Sequence, residues 1–107
     1  MDLQVGDHMS KDRWEQMSIS EQMMNIGGEL ERAVAWKNKN DPEKMNHFLE
    51  KAREWMGLTM ADPKNRGRIG ELVIVQEEYE DFFGENLWKN RDETMMSYWN
   101  SFLSARI

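Results

Sequence analysis

The feature that most limits what this chain can fold into is the run from Ser18 to Lys39, SISEQMMNIGGELERAVAWKNK. In it Ile19, Met23, Ile26, Leu30, Ala33 and Lys37 follow one another at alternating steps of four and three, the spacing that winds a seam along one side of an α-helix. Five of these six are apolar, and only Lys37 interrupts the seam at its end. Ser18 with Glu21 three residues on is a capping-box start. A rod of about 20 residues at about 1.5 Å each spans about 30 Å, the width of a small domain, so the other elements must pack against it.

The rest of the chain supplies partners for that rod. Asp41-Pro42-Glu43 offers an acceptor at a cap, a proline at the first helical position and a carboxylate near the positive end of the dipole. The second helix then runs to about Met60, with Met45, Leu49, Ala52, Met56 and Thr59 as its seam and Phe48 and Trp55 beside it. Asp62-Pro63 repeats the capping signal before a turn, Lys64 to Arg68. A third helix reads from about Arg68 to Phe83 through Ile69, Leu72, Gln76, Tyr79 and Phe83, and this spacing outweighs the β-branched run in ELVIV. Gly84 is placed to end it in a left-handed conformation. A loop to Arg91, with Leu87 and Trp88 tucked in, leads to a last helix capped by Asp92 and packed through Met95, Trp99, Phe102 and Leu103.

Residues 1–9 lack periodicity and read as a loose arm. Ser10 caps an extra helical turn through Gln16. The expectation is therefore a single domain over residues 10–107, an all-α, up-and-down bundle of four main helices with a short extra N-terminal helical turn.

Composition narrows the functional classes. With 107 residues the chain holds one core, and with no cysteine it has neither disulfide, thiolate metal site nor thiol nucleophile. No apolar run is long enough for a signal peptide or a membrane span, which makes a cytoplasmic protein the expectation. The net charge is −6, and residues 70–107 hold 3 Lys+Arg against 8 Asp+Glu, a poor match for general nucleic-acid binding. Ten Met and five Trp read first as large core fillers and second as an adaptable partner surface.

Projected around the first helix, Gln22, Asn25, Glu29, Arg32 and Trp36 form a polar stripe beside the seam. It reads as a salt-bridged shoulder between helices, Glu29 pairing with Arg32, or as a ligand or partner site. An antiparallel hairpin brings the Asp62–Arg68 turn to the same end, where Asn25 is expected to tie down the turn and Asn65, Arg66 and Arg68 to face it as a structural polar cluster or a small anion site. Gly27-Gly28 in mid-helix implies close approach of another backbone. Of the two histidines, His8 and His47, His47 stands at i, i+4 from Glu43, a spacing that can share a metal, but the Glu-x-x-His pattern of bundle di-iron sites is missing and His47 reads first as a solvated side chain. No nucleophile elbow or phosphate-binding loop occurs. Neither a catalytic residue, a metal nor a cofactor is assigned. Val73 and Ile74 project outward from the third helix, and Glu77, Glu78, Glu80, Asp81 and Glu85 make an acidic patch at its end.

The pieces NIGGELERAVAWKNKND, LTMADPKNRGRIGEL and YEDFFGEN, in that order, resemble a group of small bacterial helical proteins to which no activity is assigned. The likeness spans about residues 14–100 and is most specific from Leu58 to Gly67. It implies a cytoplasmic bacterial helical domain and no reaction. A looser likeness is to HEPN-type helical domains, whose nuclease hallmark of Arg, four to six residues, then His is missing before both His47 and His8; kinship with them implies only a binding role toward nucleotides or RNA. The residues themselves favour a non-enzymatic interaction module, a homo-oligomer or a subunit of a complex, that meets itself or another protein through Val73 and Ile74 or through Glu77, Glu78 and Asp81.

Overall fold

The helices begin where the sequence supplies an acceptor for their orphaned amide donors. The Ser18 hydroxyl accepts from the Glu21 amide at 3.1 Å while the Glu21 carboxylate accepts from the Ser18 amide at 2.9 Å, closing the expected capping box. Asp41 accepts from the Lys44 amide at 3.1 Å, and Ser10 from the Arg13 amide at 3.2 Å. The computed structural model describes residues 9–104, and among them all regular structure is helical. The elements are α1 (Lys11–Glu15), α2 (Ile19–Asn38), α3 (Pro42–Ala61), a 3-10 segment (Pro63–Arg68), α4 (Ile69–Phe83) and α5 (Asp92–Leu103). Of the expected arm, residues 1–8 lie outside the described residues, whereas Met9 is half-buried against the core.

Helix α2 is the centre of the fold and packs closely along α3 and α5, while α4 approaches α3 and α5 more sparingly. The α2 seam residues Met23, Ile26, Leu30 and Ala33 are buried, and the first three meet Leu49, Ala52 and Met56 of α3, Leu72 and Tyr79 of α4, and Met95 and Trp99 of α5 in one apolar cluster. Burying side chains of this size supplies about 1.5–3 kcal/mol each, the main force holding the helices together. Asn40, at φ 60°, reverses the chain between α2 and α3 in the left-handed region that asparagine tolerates.

Three local expectations need correction. Gly84 ends α4 at φ −96° rather than in the left-handed region; Asn86 and Lys89, at φ 50° and 56°, turn the chain instead. Leu87 and Trp88 are not tucked in but stand 69 % and 58 % exposed. Asp92 is the first residue of α5 rather than its cap, and its carboxylate instead accepts from Asn38 at 2.8 Å and pairs with Lys37 at 3.3 Å, joining the two helix ends.

The glycines also have a different cause from the one expected. A Cβ on Gly27 would lie 3.3 Å from the Trp99 ring and 3.5 Å from Leu103, so it is a side chain, not a backbone, that comes close. At Gly28 a Cβ would meet only the Arg32 guanidinium, at 3.8 Å.

Candidate functional site

Two places concentrate polar chemistry or unusual exposure, and they lie on different sides of the molecule's logic. The first is a buried polar knot where α1, α2, α3 and the 3-10 segment converge. Gln22, fully buried, donates through Nε2 to the Trp14 carbonyl and to Asp62 Oδ2, both at 2.9 Å. Its Oε1 accepts from Asn65 Nδ2 at 2.9 Å, and the same amide group donates to the Thr59 carbonyl at 2.9 Å. The Thr59 hydroxyl accepts from the Trp14 indole at 2.9 Å and donates to the Trp55 carbonyl at 2.8 Å. Lys64 closes the outside, bonding Asp62 and the Glu15 carbonyl. Burial pushes the Asp62 carboxyl up, but bonds from Lys64, Gln22 and the Lys64 amide outweigh it and hold the group below the usual range.

Chemically, this knot is spent on itself. Its amide and hydroxyl donors are matched to acceptors inside the fold, which is what buried polar groups require. Gln22 lies in the first turn of α2, while Thr59 and Asp62 lie at the end of α3, so the knot locks the start of α2 to the end of α3.

The polar stripe of α2 divides. Asn25 donates to the Glu21 carbonyl at 2.8 Å and to Met17 Sδ at 3.6 Å, so it does not tie down the turn; Gln22, three residues earlier, does. Arg66 is exposed, and Arg68 reaches Glu71 at 3.5 Å, whereas the Asn25 amide is bonded to Glu21 and Met17, so neither basic residue is tied to Asn25. Glu29 is 5 % exposed and accepts from Arg32 at 2.8 Å, with the Lys51 ammonium 3.8 Å away on α3. Trp36 stacks beneath the ammonium groups of Lys39 and Lys44, 4.7 and 4.4 Å from its ring centre, at the α2–α3 turn. Asn65 thus joins the knot, Glu29 and Arg32 join each other, and Trp36 stands apart at the far end of α2.

Nearby, Arg68, Tyr98, Ile19 and Met23 border a crevice of about 60 Å³, room for little more than water. The Tyr98 hydroxyl donates to Glu71 at 2.7 Å, and burial together with that carboxylate pushes the phenol up. Among the described residues no group of three His, Asp or Glu converges on a metal position, and His47 is exposed beside Phe48.

The second place is the outer face of α4 and the loop that follows it. Ile74 is 66 % exposed with Val73 beside it. From there α4 leads to Asp81, whose two carboxylate oxygens accept from the backbone amides of Leu87 at 2.8 Å and Trp88 at 3.1 Å. Asn86 and Asn90 add a reciprocal pair, the Asn90 amide to Asn86 Oδ1 and Asn86 Nδ2 to the Asn90 carbonyl, each 2.9 Å. Asn90 Nδ2 reaches Glu78 at 3.4 Å. A loop whose backbone is bonded this fully holds its two large apolar side chains outward by construction. The apolar count of the sequence pointed these side chains inward; the signal against that was Asp81, spaced to serve amides beyond the helix end.

Comparison with known proteins found no matching family model, no matching curated protein and no matching solved structure.

Proposed function

We propose that this protein is a non-enzymatic interaction module that engages a protein partner through α4 and the loop after it. The observation that carries the reading is Leu87 and Trp88 displayed on a backbone fixed by Asp81, with Ile74 and Val73 also exposed on the helix that leads into this loop. Aromatic and aliphatic side chains held rigidly in solvent are the usual anchors of protein interfaces, because their ordering cost is met before binding. The buried polar knot, with its donors and acceptors matched internally, supports a structural rather than a catalytic role for that cluster.

An up-and-down order of the four long helices fits this module. The start of α2 meets the end of α3 through Gln22 and Asp62, the end of α2 meets the start of α5 through Asn38 and Asp92, and the start of α4 meets α5 through Glu71 and Tyr98.

The reading is tested with a photo-crosslinking amino acid placed at position 88 and, separately, at the exposed position 54 of α3. Cell-wide crosslinking should yield a defined protein adduct from position 88 and none from position 54. An absence of adducts from position 88, or the same set from both, overturns it.

A further inference from the structure

We infer that Met17 is a site of reversible oxidation, where the sulfoxide formed by a peroxide is held by the side-chain amide of Asn25. Met17 sits at the corner between α1 and α2, outside both helices and half-buried against the core. Its sulfur accepts from Asn25 Nδ2 at 3.6 Å, and the same NH2 group donates its other hydrogen to the Glu21 carbonyl at 2.8 Å. The Glu21 bond settles which end of the Asn25 amide meets the sulfur, because the amide oxygen in that place would face a carbonyl oxygen. A hydrogen-bond donor is therefore already aimed at the atom that a peroxide attacks.

The other described methionines each lack one half of this arrangement. Met23, Met56, Met95 and Met96 are buried in the core, where a peroxide reaches them poorly. Met9, Met24, Met45 and Met60 are half-buried like Met17, but among the described residues none of their sulfurs accepts a hydrogen bond. Met17 alone combines partial exposure with a donor held in place by a second bond.

A thioether is a weak acceptor, so in the reduced chain the Asn25 contact contributes little. Attack of the sulfur lone pair on hydrogen peroxide breaks the O–O bond and forms one S–O bond. Sulfur is oxidised by two electrons, and the second peroxide oxygen leaves as water. Such a change makes a flexible apolar side chain polar and unsettles a packed core. At Met17 the new oxygen is a strong acceptor beside a donor already in place, and the half-exposed corner leaves its other lone pair to water. A sulfoxide reductase drawing on external thiols restores the thioether, since the chain has no cysteine of its own. The corner also joins Trp14, whose indole and carbonyl enter the buried polar knot, to the start of α2. Oxidation there tightens the Met17–Asn25 contact and leaves the knot closed, so peroxide is consumed where the fold bears it. This device is independent of the partner surface on α4.

The test exposes the full, folded chain to limiting hydrogen peroxide, reads the sites of oxygen addition by peptide mass mapping, and separates the fraction oxidised at Met17 alone. Met17 should take up oxygen before Met23, Met56, Met95 or Met96 does. The side-chain NH2 resonances of Asn25 should move when Met17 is oxidised and return after treatment with methionine sulfoxide reductase; in Met17→Leu, peroxide should leave them in place. Oxidation at Met17 should not lower the thermal midpoint of the wild-type chain, and should lower that of Asn25→Ala. Core methionines oxidised ahead of Met17 overturn the inference. So do Asn25 resonances indifferent to the sulfoxide, or a midpoint that responds alike with and without the Asn25 amide.

Discussion

Gln22 and Asn65, 43 positions apart, are joined by a 2.9 Å bond between side-chain amides that are both buried. The same two residues reach Trp14, Asp62 and Thr59, so one glutamine couples three helices and the 3-10 segment. Gln22→Ala should therefore lower stability by about 2–4 kcal/mol, by unpairing buried groups and opening a void. Asn25→Ala, on the same helix but bonded within its own turn and to Met17, should cost less than about 1 kcal/mol. Equal shifts in the urea midpoint for the two variants would show that the knot is not where the end of the fold is secured.

Asp62 should contribute to acid unfolding, alongside Asp92, which its bonds with Asn38 and Lys37 also hold low. The Asp62 carboxyl is held below the ordinary value of 3.8, so the native state favours the charged form more than the unfolded chain does. The stability from this group is present in full above the unfolded value and is lost as pH falls through the lower folded one. Unfolding free energy measured from pH 5 downward should decline, and Asp62→Asn should be less stable at pH 7 with a shallower acid decline. A variant with the wild-type slope would remove Asp62 from the acid transition.

The paired glycines should behave oppositely. Gly28→Ala meets nothing closer than a flexible guanidinium, so helix propensity decides and stability should rise by about 0.5–1 kcal/mol. Gly27→Ala sets a methyl 3.3 Å from Trp99, a ring fully buried and packed against Tyr79 and Tyr98, which cannot yield cheaply. That variant should be less stable than wild type, and thermal denaturation of the two side by side decides it.

Removing the loop clamp should release the displayed side chains without unfolding the core. Asp81→Ala leaves the Leu87 and Trp88 amides without their acceptors. Hydrogen exchange at those two amides should quicken markedly, while the global midpoint shifts by no more than about 1–2 kcal/mol. Unchanged exchange would mean that the two asparagines hold the loop on their own.

The helices were legible because their signals are local. Ser18 with Glu21, and Asp41 ahead of Pro42, set two starts that the structure places at Ile19 and Pro42, and the seam of α2 is buried where its spacing put it. What the spacing does not contain is which boundary residue another element will cover. Gln22 and Asn25 are equivalent on a helical projection; α1 folding back to bury Trp14 makes one of them central and leaves the other half-exposed. The loop failed for a related reason, since apolar residues read as buried unless a distant acceptor is known to seize their backbone, and Asp81 belongs to the preceding helix. Candidate residues Arg66 and Arg68 were grouped by adjacency in the chain, but a 3-10 segment fans consecutive side chains apart and leaves both exposed.

The knot also has a kinetic meaning. Its bonds from Gln22 to Asp62 and Asn65 close chain segments of 40 and 43 residues, so the entropy of bringing those ends together must be spent before any of them is gained. Hairpin pairing of α2 with α3 shortens that search, and the amide contacts then snap shut on ends already aligned. They are expected to form on the native side of the folding barrier. A chain that has lost Gln22 should accordingly fold at nearly the wild-type rate and come apart faster, the mark of a latch rather than a nucleus.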